Sequence, residues 1–144
     1  MSSFFPIREV RITLTVASYE EAVQFYRDGL RLAVVEQWQT AEGRGMILAL
    51  GPHTTLELFD VAQATLVDQL EVGRRASGPV RLAFQVPLVE AEVSALQQAG
   101  AKVLSHPTLM PWGDRNARIE TPDGMQVTLY EVGIPEEQQN NERS

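Results

Sequence analysis

Apolar and polar residues alternate in step over residues 10–16, where Val10, Ile12, Leu14 and Val16 are separated by Arg11, Thr13 and Thr15. A period of two predicts a strand with one apolar and one polar face. The period then lengthens. Ser18 stands three residues ahead of Glu21, the spacing of a capping box, and the helix it opens carries Ala22, Val23, Phe25 and Tyr26 before Gly29 offers a C-cap. Short runs at 32–38, 45–50 and 54–59 predict three further strands, the last two divided by the turn Leu50-Gly51-Pro52-His53.

The same pattern then returns. Residues 80–86 align with 10–16, and residues 115–131 align with 44–60 without a gap. The second copy reads as a strand over 80–86, a helix over 88–99 carrying Val89, Val93 and Leu96 with its stop at Gly100, and strands at 102–105, 117–120 and 126–130. Its last turn, Thr121-Pro122-Asp123-Gly124, falls where the first copy has its own. Such duplication marks two copies of one supersecondary unit. The expected fold class is therefore α+β, with two tandem βαβββ modules forming curved mixed sheets around a cup. Residues 7–60 form the first module and 80–131 the second. Residues 61–79 read as a linker with a short helix over 62–73, and its Arg74-Arg75 pair is expected to be solvated. Residues 132–144 are polar and expected to be disordered.

Composition narrows the function classes. The 44% apolar and 22% charged content is that of a soluble globular chain, and 144 residues leave room for one ordinary core or two small halves sharing one. A net charge of −7 with 12 scattered Lys and Arg argues against nucleic acid as a partner. No run approaches the roughly 18 apolar residues of a membrane span, and residues 1–6 lack a basic start, so a cytoplasmic protein without membrane contact is expected. Without cysteine there is no disulfide framework and no thiolate nucleophile. His53 at a turn and His106 before Pro107 lack a paired spacing and read as surface or loop residues. No nucleophile with a partnered base and no glycine-rich phosphate loop is visible.

Strand alternation says which side chains enter the cup. The duplication makes Arg11 equivalent to Arg81 and Glu57 equivalent to Thr128. Residues of their parity point inward: Arg11, Thr13 and Thr15; Thr55, Glu57 and Phe59; Arg81, Ala83 and Gln85; Gln126, Thr128 and Tyr130. The opposite faces, Val10-Ile12-Leu14 and Val127-Leu129 among them, are apolar and should pack under the helices.

The tandem modules, Leu14-Thr15-Val16 ahead of a helix with Phe25-Tyr26, the segment Pro111-Trp112-Gly113, and Thr121-Pro122-Asp123-Gly124 ahead of a strand together resemble the vicinal oxygen chelate superfamily. That superfamily includes glyoxalase I, extradiol dioxygenases, fosfomycin-modifying enzymes and bleomycin resistance proteins. The resemblance covers residues 7–131 and implies a fold more firmly than a function. In its metalloenzymes the first and last strands of each module carry the metal ligands, positions that fall here on Arg11, Glu57, Arg81 and Thr128. Only Glu57 is a ligand type, because guanidinium offers no lone pair. A dication about 4 Å from one guanidinium costs on the order of 8 kcal/mol at an effective dielectric near 20, and there are two such groups. The family's metal site therefore reads as lost, with no metal and no cofactor expected.

Two cations against one anion, hydroxyl and amide donors, and the rings of Phe59, Tyr130 and Trp112 remain to do the work. Arg11, Thr13, Glu57, Phe59, Arg81, Gln85, Trp112, Thr128 and Tyr130 are the candidate ligand-binding residues; no catalytic residue is assigned. The leading reading is a metal-free binding protein of the bleomycin-resistance type, a homodimer that sequesters a small organic molecule. The alternative is a glyoxalase-related lyase, isomerase or dioxygenase using Glu57 with unconventional ligands or without metal. A third reading makes Arg11, Glu57 and Arg81 a structural ion network with no ligand at all. The acidic chain suits a cationic ligand, whereas Arg11 and Arg81 suit an anionic or carbonyl-bearing one. Whether the modules pair within one chain or between two stays open.

Overall fold

A computed structural model describes residues 7–133; the tail at 134–144 and the start at 1–6 lie outside the described residues. The elements run β1 (Glu9–Thr15), α1 (Tyr19–Val23), β2 (Val34–Thr40), β3 (Gly43–Gly51), β4 (Thr54–Phe59), α2 (Val61–Val72), β5 (Val80–Gln85), α3 (Val89–Gln98), β6 (Lys102–Leu109), β7 (Arg115–Glu120) and β8 (Gln126–Glu131). They form an α+β fold with one mixed, unclosed sheet of eight strands in the order β2-β3-β4-β1-β5-β8-β7-β6. The two modules join inside the chain, where β1 and β5 pair antiparallel with Thr13 opposite Arg81 and Arg11 opposite Ala83. Within each module the first strand pairs parallel with the last, β1 with β4 and β5 with β8.

The apolar faces lie where alternation puts them. Ile12 and Leu14 pack with Leu48, Leu56 and Leu58 beneath α1, and Val127 and Leu129 pack with Ala117, Ile119, Val89 and Val93 beneath α3. Both helices thus cover one face of the sheet and leave the other concave. The duplication extends to ion pairs that tie each helix to its sheet, Arg44 with Glu20 and Arg115 with Glu90. Being exposed, these pairs contribute little to stability.

Helix ends depart from expectation in one place. Ser18 caps α1 by accepting from the Glu21 amide at 3.4 Å, but the helix then opens into a π-helical turn, Gln24–Gly29, with the Leu30 amide bonded to the Phe25 carbonyl at 2.9 Å. The wider turn moves the stop past Gly29, and Arg31 takes the left-handed conformation at φ 59°. Strand β6 is likewise longer than expected and takes in His106 and Pro107, which an edge strand with broken register tolerates.

The segment read as a linker carries the short helix expected there, in a place that the sequence did not indicate. Asp60 caps α2 by accepting from the Gln63 amide at 2.8 Å, and Gly73 closes it at φ 84°. The helix lies in the concave face against β3, β4, β6 and β7, so it is a wall of the cup. Its buried positions are Gln63, Ala64, Val67, Asp68 and Glu71, more of them polar than apolar, which hid its orientation from periodicity. Arg75 is not simply solvated either: its Nη1 donates to Asp68 Oδ2 at 2.7 Å and to the Ser77 carbonyl at 2.6 Å.

Candidate functional site

The concave face and α2 enclose a cavity of about 370 Å³. Arg11, Glu57, Phe59, Arg81, Thr128, Tyr130 and Trp112 line it. Thr13 and Gln85 do not. Thr13 is buried and its hydroxyl is turned onto Glu57 Oε1 at 2.8 Å, while Gln85 sits farther along β5 beside Glu9. Sequence reasoning missed Glu36, Trp38, Ile47, Gln63, Val67, Glu71, Asp114 and Asn116, which also face the cavity. A wider, more open groove of about 690 Å³ lies beside α1, but Arg27 is held there by Asp28 and Arg44 by Glu20 and Asp60.

A buried ion network does exist, on different residues from those expected. Its centre is Arg118, which has no exposed surface. The guanidinium donates to Asp68 Oδ1 at 3.0 Å, Gln126 Oε1 at 2.9 Å, Glu71 Oε1 at 3.3 Å and Thr128 Oγ1 at 3.2 Å. Asp68 and Glu71 stand three residues apart on one face of α2, so a single arginine pins the helix to β7. Burial opposes charge on Asp68, yet hydrogen bonds from the Ala76 and Ser77 amides and from Arg75, with Arg118 beside it, hold its carboxyl well below the usual range. Such a group contributes stability that is complete above the unfolded carboxylate range near 4 and is lost as pH falls through that range toward the folded value. Urea midpoints measured from pH 7 to 3 should therefore fall, and Asp68→Asn should start lower at pH 7 but fall less steeply. Parallel profiles for the two proteins would contradict this.

Thr128 joins the network to the cavity. Its hydroxyl accepts from Arg81 Nη1 at 2.8 Å and donates to Glu71 Oε1 at 2.8 Å, which leaves it an orienting group for Arg81. Arg81 and Glu57 form no ion pair with each other among the described residues. Arg81 is 5% exposed and its side chain donates one hydrogen bond, to Thr128; Glu57 is 7% exposed and accepts one, from Thr13. Thr13 lies between them, paired with Glu57 on one side and Arg81 on the other. The two charges thus flank one stretch of cup floor with most of their hydrogen-bonding capacity open.

Arg11 is held at the rim. Its Nε donates to Glu9 Oε1 at 2.6 Å and its guanidinium carbon lies 4.7 Å above the Tyr130 ring. Burial works against the charged form, but Glu57 and Glu9 outweigh it and strengthen the cation. The Tyr130 hydroxyl donates to the same Glu9 oxygen at 2.6 Å. Burial first, and that bond second, raise the phenol above its ordinary range, so it stays protonated.

These neighbours overturn the expected balance of two cations against one anion. Glu36, Glu57, Glu71 and Asp114 line the cavity with Arg11 and Arg81, and behind them Glu9 pairs with Arg11 and Asp68 with Arg118. The cup carries no excess of positive charge.

The four positions that correspond to metal ligands in the superfamily do not fit a metal ion. Two are arginines, the Thr128 hydroxyl is committed to Arg81, Arg118 and Glu71, and Glu57 alone has a free carboxylate oxygen. Among the described residues no three His, Asp or Glu side chains converge as a metal site would require.

Comparison with known proteins places this geometry. The profile of the Glyoxalase/Bleomycin resistance protein/Dioxygenase superfamily matches residues 9–129. A 2-epi-5-epi-valiolone epimerase from Actinomyces sp is 33% identical over 155 aligned residues, covering 92% of this chain and 84% of that protein. Methylmalonyl-CoA epimerase from Mycobacterium tuberculosis shares the fold with a TM-score of 0.64 at 18% identity, covering 96% of this chain and 97% of that one. A glyoxalase/bleomycin resistance protein/dioxygenase superfamily member from Vibrio splendidus 12B01 does so with a TM-score of 0.60 at 13% identity, covering 85% and 97%. With the profile spanning nearly every described element of both βαβββ copies, the chain belongs to the glyoxalase/bleomycin resistance protein/dioxygenase superfamily.

Proposed function

We propose that the chain binds a small, uncharged, polyhydroxylated molecule bearing a carbonyl group in the cup, without a metal ion. The observation that carries this is the placement of a carboxylate, Glu57, and a guanidinium, Arg81, on either side of Thr13, each with hydrogen-bonding capacity open, in a cavity without excess positive charge. A hydroxyl both donates and accepts, so a polyol satisfies both groups at once. A carboxylate ligand would meet Arg81 but also the field of Glu57 and Glu71. Binding without conversion is the sequestering role of the bleomycin-resistance type. A thermal-shift screen of chelator-treated protein tests it, with myo-inosose, small carboxylates and organic amines as probes. Stabilisation by myo-inosose is expected, since a ligand at a hundred times its Kd adds about 2.7 kcal/mol. A response confined to carboxylates or to divalent metals would contradict the proposal.

The Actinomyces relative, named as an epimerase, favours a second reading, an isomerase. Glu57 would take the proton from the carbon next to the carbonyl, the electron pair would move onto the carbonyl oxygen against Arg81, and a proton would return from solvent. Deuterium entering myo-inosose from D2O at that carbon, and not in Glu57→Gln, supports this reading; binding without exchange supports sequestration.

A further inference from the structure

The missing side chain of Gly45 has no backbone cause: unlike Gly43, Gly73, Gly100, Gly113 and Gly124, it does not take a positive φ. Its neighbour explains it. A Cβ at Gly45 would lie 2.1 Å from Trp38 Cζ2 and 2.5 Å from Cε2, so the indole rests directly on the strand. Trp38, Gly45 and Phe59 are register partners in one row across β2, β3 and β4. The indole meets the Phe59 ring edge-on at 6.0 Å and 70°. In the duplicated half the position of Gly45 is taken by Asn116, so the glycine is particular to the half that carries Trp38. Trp38 is only half-buried and faces the cavity with Ile47, Phe59 and Val67. One part of the cup is thus an apolar wall of Trp38, Ile47, Phe59 and Val67, set in the same cavity as Glu57 and Arg81.

Resting on the proposed binding role of the cup, we infer that Trp38, seated on Gly45, is the stacking platform that selects a cyclic polyol over an open-chain one. The negative face of the indole attracts the C–H face of a saturated ring, and a ring lying flat on it turns its edge oxygens toward Glu57 and Arg81. A flexible chain offers no such face. Glycine at 45 matters because any side chain there would lift the indole into the cavity.

Calorimetric titration of the chelator-treated full chain tests this with two probes, myo-inosose and the open-chain ketose erythrulose. The wild type should prefer myo-inosose. Gly45→Ala and Trp38→Leu should each weaken myo-inosose binding about tenfold or more and remove the preference, while Trp38→Phe, which keeps a ring face, should retain part of it. The double variant Gly45→Ala with Trp38→Leu should lose no more than either single change, because both act on one platform. Unchanged myo-inosose affinity in Gly45→Ala or Trp38→Leu would overturn the inference and leave the binding role standing. Failure of the wild type to bind either probe would overturn both.

Discussion

Arg118→Ala is expected to lower folding stability by about 3 to 5 kcal/mol, the usual result of removing one partner from a buried charge network. The reason lies in what stays behind. Asp68 keeps the Ala76 and Ser77 amides and Arg75, but Glu71 keeps only the Thr128 hydroxyl, and it is 5% exposed. An unpaired carboxylate is then left under α2. Lysine should not rescue, because its single ammonium cannot reach Asp68, Glu71, Gln126 and Thr128 in the fork geometry that the guanidinium provides. Adding Glu71→Gln to Arg118→Ala should recover part of the loss. Urea denaturation reads both quantities, and a loss below about 1 kcal/mol would mean that the network does not hold the helix.

Arg81→Ala should behave in the opposite sense. Its guanidinium makes one side-chain hydrogen bond, to Thr128, and Thr128 keeps Arg118 and Glu71 when that bond is gone. Burial also opposes the charge on Arg81, with Arg118 adding to it, against the pull of Glu71 and Glu57. Stability should change by no more than about 1 to 2 kcal/mol. Binding of myo-inosose should weaken roughly tenfold to a hundredfold, the loss of a charge-assisted hydrogen bond worth about 1.5 to 3 kcal/mol. The double variant with Glu57→Gln separates roles further. If stability falls steeply in Arg81→Ala and returns in the double variant while myo-inosose binding stays constant, the pair is scaffold and has no part in a ligand site.

The contrast between these two arginines also measures what was legible. Arg81, Arg11, Glu57, Thr128 and Tyr130 were placed in the cup because strand alternation is binary and the duplication states it twice. The same rule would have found Arg118 and Asn116, since Ala117 and Ile119 alternate with them in β7, yet it was applied only to the first and last strands of each module. Trp38 was harder. A register break between Val34 and Glu36 disrupts the parity of β2, so no counting from the strand start reaches it. The role of α2 was hidden for a different reason: Asp68 and Glu71 are buried by hydrogen bonding, and an apolar stripe does not mark a helix held that way. Leaving α2 out of the cup also misjudged its charge, because Glu71 joins Glu36 and Asp114 in the lining. The turn of Thr13 onto Glu57 is a rotamer choice that residue type does not reveal.

The central claim is that this cup takes its ligand with its own side chains in place of a metal ion. The direct test is calorimetric titration of myo-inosose into chelator-treated protein, repeated after addition of Zn²⁺. The account predicts saturable binding with the same Kd in both, weakened in Arg81→Ala. Binding that appears only with Zn²⁺ and disappears in Glu57→Ala would contradict it.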